Sequence, residues 1–310
     1  MVNRNLLGSY VDAMVAAAHI INLENPDFIV APMLGSVPFI DAMNIVDRDF
    51  DPTKVVYMPA SSKIAKVHQV IRGWYTNFLA DVVRSPDFFP KILGIDEVVS
   101  GSSVTRCFKG VDEACDMARR NIRQSLMEQF CSDDKSQLSG ALRDLDLITD
   151  NRFAAELGKL RNKYDDSQPD ESTLKEDSRT VREITKTGLS QKLVYRTIGI
   201  EEDRELPRHN TYEEAKSAGR ISPVSIRHIL TMDKPGFCPP QFEELDLKKD
   251  GMTRYGSAFS PKVQNFVVTS GYIAFLRDLA AYVGKNPDSA APVNMGSILT
   301  SSKYLPEEFQ

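Results

Sequence analysis

Three short apolar runs, each followed by a stretch with helical apolar spacing, constrain the fold of this chain more than any other feature. The runs are DFIVAP at 27–32, KVVYMPA at 54–60 and KILGIDEV at 91–98. VPFIDAMNIV follows the first, a polar stretch and a helical segment ending near Val83 follow the second, and a helix after Ser102 follows the third. Strands that alternate with helices pair in parallel, because parallel neighbours need crossover connections, and strands without a polar face must be covered on both sides. The N-terminal half is therefore read as α/β, a parallel sheet with helices on both faces. An amphipathic helix over 9–21 precedes it, with Val11, Met14, Val15, Ala18 and Ile21 at helical spacing.

From Asp112 to about Lys163 the pattern predicts further helices and no clear strand. The segment 164–182, YDDSQPDESTLKEDSRTVR, has almost no large apolar residues and reads as an exposed connection. KLVYRTIGI at 192–200 is a credible further strand, 207–256 is broken by Pro and Gly, and helical spacing returns at 272–283. The expected organisation is an α/β core over 1–163 and a charged connection over 164–190. A final strand and a smaller, mostly helical or irregular C-terminal part follow over 191–310. Asp233 and Cys238, in and beside the Pro-rich turn PGFCPPQF, look distinctive but carry no evident chemistry.

With 310 residues, 42% of them apolar, the chain can bury a sizeable core. A net charge of −5, with cations scattered among acids, argues against broad capture of nucleic acid. No run approaches the roughly 18 apolar residues of a membrane span, and no leader pattern opens the chain, so no membrane is expected and the cytoplasm is the expected compartment. The four cysteines do not form metal-binding or disulfide spacings and read as reduced thiols.

In a parallel sheet, ligands gather beyond the carboxyl ends of the strands. The third run is the informative one: ILGI is followed by Asp96 and Glu97, two apolar residues, then Ser100, Gly101, Ser102, Ser103 and Val104 where a helix opens. Amides and hydroxyls at a helix start suit a phosphate, glycine lets the backbone approach it, and the acids can accept hydrogen bonds from vicinal hydroxyls. A ribose 5-phosphate supplies both partners. The bland alternative is a strand-to-helix turn whose Ser and Gly merely cap the helix.

IDEVVSGSSV resembles the phosphoribosyl-diphosphate signature of the type I phosphoribosyltransferases, with Glu97 where Asp is usual and Ser100 and Ser103 where Thr is usual. The resemblance, which covers roughly 9–130, implies a phosphoribosyltransferase-like core. It also implies a glycosyltransferase of nucleotide metabolism, which transfers phosphoribosyl from phosphoribosyl diphosphate to a nucleobase-like acceptor with Mg²⁺ as cofactor. Asp96 and Glu97 would hold the ribose hydroxyls, and 100–104 would hold the 5-phosphate. VAPMLGSVPF is similar to the family's diphosphate loop, which would comprise Met33, Leu34, Gly35 and Ser36. Leu34 stands where a basic residue is common, which keeps open a non-catalytic protein that senses a nucleotide or phosphoribosyl diphosphate on the same fold.

The stretch after the second strand sits where the family carries a mobile loop, so Lys63, Lys66 or Arg72 would neutralise the leaving diphosphate, although solvated surface charges are the commoner explanation of such residues. His68 could act as acid or base there. Trp74 and Tyr75 could stack on a base but at helical spacing are more often packing residues. Tyr195 and Arg196 lie in a strand where the family reads its base. The partner is then phosphoribosyl diphosphate or a nucleoside 5-phosphate, and since family members commonly pair, the resemblance allows a homodimer.

Overall fold

A computed structural model describes residues 4–33, 35–62, 64–83, 90–166, 171–203, 208–227, 240–244, 259–266, 268–292, 297–298 and 300–310. The chain divides into two compact units, one of 1–77, 91–111 and 195–310, the other of 78–90 and 112–194.

The first unit is α/β. Its five parallel strands are β1 (Phe28–Met33), β2 (Val55–Pro59), β3 (Ile92–Val98), β4 (Tyr195–Glu202) and β5 (Ile221–Ile226), in the order β2-β1-β3-β4-β5. β1 leads to β2 on one side and, by way of β2, to β3 on the other, so the winding reverses between β1 and β3. The first three runs of the sequence are β1, β2 and β3, and the fourth is β4. β5 carries Pro223 and was hidden by it; a proline is tolerated there because β5 is the edge strand.

Alternate residues of each strand face opposite sides. On one face Ile29, Ala31, Leu93, Ile95, Ile198, Ile200 and Val224 share a core with α1 (Arg4–Glu24) and α2 (Val37–Val46). On the other, α3 (Val67–Val82) and α4 (Ser102–Phe130) bring Tyr75 and Phe108 edge-on to Tyr195, and Tyr75 Oη donates to Tyr195 Oη at 3.0 Å. Trp74 is fully buried and donates through Nε1 to the Ser301 carbonyl at 3.0 Å, so it and Tyr75 are packing residues.

Helix α1 amends one expectation: it is long and apolar enough by length and composition to cross a bilayer. Here its stripe of Leu7, Tyr10, Met14, Ala17 and Ile21 is buried in the core. The C-terminal residues are not a separate part but belong to this unit. Their α9 (Ser270–Tyr282), capped by Thr269, packs Phe275 and Leu279 into the same core. α8 (Asn210–Ser217) and an antiparallel pair, β6 (Pro240–Glu244) and β7 (Phe259–Phe266), complete the unit as described. Asp233 and Cys238 lie outside the described residues. Cys107 and Cys115 are buried and outside any disulfide, and burial pushes the Cys107 thiol well up, leaving it inert.

The second unit is helical. The later part of α4, α5 (Lys135–Ile148), α6 (Ala154–Asp166) and α7 (Glu171–Lys192) enclose Leu126, Phe130, Leu142, Leu145, Leu160, Val181, Ile184 and Leu189. The charged segment read as a connection is thus largely α7. Its apolar residues Leu174, Val181, Ile184 and Leu189 pack on the core of the unit, and the first two lie within the charged run.

Two glycines test this packing. A Cβ on Gly188 would meet the Ile148 carbonyl oxygen at 2.1 Å, whereas one on Gly158 would meet nothing within 4 Å. Gly188→Ala is expected to destabilise the protein by about 1–3 kcal/mol in urea unfolding. Gly158→Ala is expected to be neutral or to stabilise by up to about 1 kcal/mol. Equal effects from the two would contradict the placement of α5 against α7.

Candidate functional site

At the carboxyl edge of the sheet, where the winding reverses, three loops enclose a cavity of about 270 Å³. Met33 and Gly35 come from the end of β1, Ala60, Ser61 and Ser62 from the end of β2, and Asp96, Glu97 and the residues 99–103 from the end of β3. The fold therefore brings together the three segments singled out by sequence.

The two acids do not lie side by side. As consecutive strand residues they point to opposite faces of the sheet. Asp96 turns towards α4, where Ser103 hydrogen-bonds to it and the Arg106 guanidinium lies nearby. Glu97 turns towards the loop after β1 and lies against Gly35: a Cβ there would stand 2.3 Å from Glu97 Cδ. A side chain at position 35 would have to push the Glu97 carboxylate aside.

Asp96 is 3% exposed, and its Oδ2 has no partner among the described residues. Burial, reinforced by the Glu97 charge, pushes its carboxyl up to about 8, with Ser103 and Arg106 offsetting only part of the rise. Around neutral pH this carboxyl holds its proton and can donate a hydrogen bond; an added cation or hydroxyl donors would return it to a carboxylate.

The serine loop presents backbone amides that the helix leaves unbonded. The first backbone bond of α4 runs from Thr105 N to the Gly101 carbonyl at 3.0 Å, so the amides of 102–104 precede the helical ladder. Ser102 N makes only a long contact, 3.4 Å, to Ser100 Oγ. Gly101 has φ +74° and lies under the ring of Tyr212, whose Cγ would be 2.6 Å from an added Cβ. From behind, His209 N donates to the Ser100 carbonyl at 3.0 Å. Tyr212 Oη donates to Glu201 at 2.6 Å, and Lys216 reaches the same carboxylate at 2.9 Å. Glu201, at the end of β4, thus anchors the helix that supports the loop.

Other candidates are distributed differently. Val104 is buried, so only its amide can serve a ligand. Ser36 is buried outside the cavity lining, and its hydroxyl donates to the Pro32 carbonyl. Arg72, Lys66 and His68 are exposed and do not line the cavity. Leu34 and Lys63 lie outside the described residues. Tyr195 and Arg196 open β4 at the amino end of the sheet, away from the cavity; Arg196 instead pairs with Glu24 at 2.7 Å. Sequence reasoning missed Arg106, the cation among the described lining residues, whose Nε is buried without a partner among those residues. Its signal was its position three residues after Ser103, which puts both on one face of α4.

Among the described residues no group of three or more His, Cys, Asp or Glu side chains converges as a metal site. The open Oδ2 of Asp96, once the carboxyl loses its proton, fits a Mg²⁺ held mainly by oxygens of its ligand. Comparison with family models, curated proteins and solved structures finds no match for this chain.

The buried carboxyl has a pH signature. Asp96 rises from an ordinary 3.8 to about 8 on folding, so its contribution is complete below about pH 4 and is lost as pH rises through about 8. In urea unfolding, the native protein is expected to lose stability between about pH 5 and pH 8 more steeply than Asp96→Asn. Parallel profiles would show that the Asp96 carboxyl is not raised.

Proposed function

We propose that the chain is a phosphoribosyltransferase-type enzyme that binds phosphoribosyl diphosphate and transfers its phosphoribosyl group to a nucleobase-like acceptor. The observation that carries this reading is the shared cavity of the acid pair, the amide-rich start of α4 and Gly35. Asp96 and Glu97 take the ribose hydroxyls, and the amides and hydroxyls of 100–104 take the 5-phosphate. Of the loop after β1, Met33 and Gly35 line the cavity and would face the diphosphate. Arg106 adds a positive charge beside the sugar phosphate, and Mg²⁺ would neutralise the departing diphosphate from a position near Asp96 and Glu97. The anomeric C–O bond to diphosphate breaks, a C–N bond to the acceptor forms, and the acceptor nitrogen loses its proton. Such chemistry depends on positioning and charge stabilisation more than on covalent help from the protein. A cytoplasmic placement belongs to the same proposal, supported by the burial of the α1 stripe in the core.

A second reading, a sensor that binds the sugar phosphate without turnover, is favoured by one observation: Arg72 lies outside the lining, so Arg106 is the cation that the described residues bring to the cavity.

Two measurements separate these readings. Incubation with phosphoribosyl diphosphate, Mg²⁺ and a panel of nucleobases is expected to release diphosphate with one acceptor class; binding without release from any acceptor would leave the sensor. Asp96→Asn with Glu97→Gln is expected to weaken ribose 5-phosphate binding by about tenfold or more. Gly35→Ala, which displaces only a side chain, is expected to cost under about 1 kcal/mol of stability while weakening the same ligand. Unaltered affinity in both variants would remove the pocket assignment.

A further inference from the structure

The helical unit has a concavity of its own, about 270 Å³, between α4 and α7. Arg119, Arg120 and Arg123 line it from α4 together with Asp116, and Thr185, Lys186, Leu189 and Ser190 line it from α7. Arg123 is three residues from Arg120 and four from Arg119, spacings at which like charges on a helix repel.

Arg119 is accounted for within the protein. It donates to the Leu189 carbonyl at 3.3 Å and to the Leu193 carbonyl, and it pairs with Asp116 at 2.8 Å. Its guanidinium therefore neutralises the carbonyl end of α7, which would otherwise repel an anion, and the Asp116 charge is spent on it. The Thr185 hydroxyl donates to the Arg182 carbonyl at 3.0 Å, and buried Leu189 provides an apolar wall. Arg120, Arg123 and Lys186 are left with neither a hydrogen bond nor an ion pair among the described residues.

We propose that this concavity is a binding site for a short polyphosphate, the di- or triphosphate tail of a nucleotide. Three uncompensated cations on two facing helices match an anion carrying several charges on a short chain. A single carboxylate would leave two of them unmatched. Guanidinium groups pair with phosphate oxygens in a two-pronged geometry, which favours phosphate among such anions. The volume lies just under the roughly 300–1,000 Å³ of small-molecule pockets, enough for a phosphate chain with the remainder of the ligand outside. A nucleic-acid strand is a poorer match: its single charges are spread along a groove, whereas elsewhere α7 interleaves acids with bases. The proposal does not rest on the ribose-phosphate reading.

The test is calorimetric titration of the full chain with sodium triphosphate at low ionic strength. The expected result is that Arg120→Gln with Arg123→Gln and Lys186→Gln weakens binding by about tenfold or more, with unchanged circular dichroism. Arg120→Gln alone, at an exposed position, is expected to weaken it about threefold, which keeps the test valid if the triple variant does not fold. Lys159→Gln, an exposed cation of α6 outside this lining, is expected to leave the affinity unchanged. Unaltered affinity in the Arg120 variants, or an equal loss in Lys159→Gln, would overturn the proposal. So would tighter binding of a single-stranded oligonucleotide that triphosphate fails to displace.

Discussion

The buried carboxyl of Asp96 is the constraint around which the candidate site is arranged. Enclosing an acid at the end of a strand is unfavourable unless it is neutral or well paired, and here one oxygen has no partner among the described residues. The start of α4 brings Ser103 and Arg106 to it, and they offset only part of that cost. The pleat of β3 then sends Glu97 to the opposite face, over Gly35. One two-residue step thus reaches the serine loop and the loop after β1 together, and only a parallel sheet that reverses between β1 and β3 leaves room between them.

Support from behind matters as much as the lining. Gly101 adopts a left-handed conformation that lets the loop turn under Tyr212. Tyr212 is held by Glu201, which also engages Lys216 and Arg208. The serine loop is therefore clamped between its own helix and α8, the condition under which a set of amides can be ready for an anion before it arrives.

Much of this was legible in the sequence, because parallel strands buried on both faces are written as uninterrupted apolar runs and because the helix after β3 starts with small hydroxyl residues. What was hidden has local causes. Pro223 disguised β5, which as an edge strand tolerates a proline without losing its inner pairing. Charges masked α7, whose apolar face is carried by Leu174, Val181, Ile184 and Leu189 alone. Tyr195 was assigned to the acceptor by its strand, yet it opens that strand at the end away from the cavity, and nothing in a single sequence distinguishes a ring packed on Tyr75 and Phe108 from one awaiting a base. The basic residues after β2 were attractive for their place in the chain, whereas Arg106 reached the cavity through helical periodicity.

Carbon-13 NMR titration of the Asp96 carboxyl, with and without ribose 5-phosphate and Mg²⁺, tests the central claim most directly. The free protein should show a midpoint at about 8, and the ligand should lower it, since hydroxyl donors and a cation both favour the carboxylate. A midpoint in the ordinary aspartate range without ligand, or one that ribose 5-phosphate leaves where it was, would contradict the account.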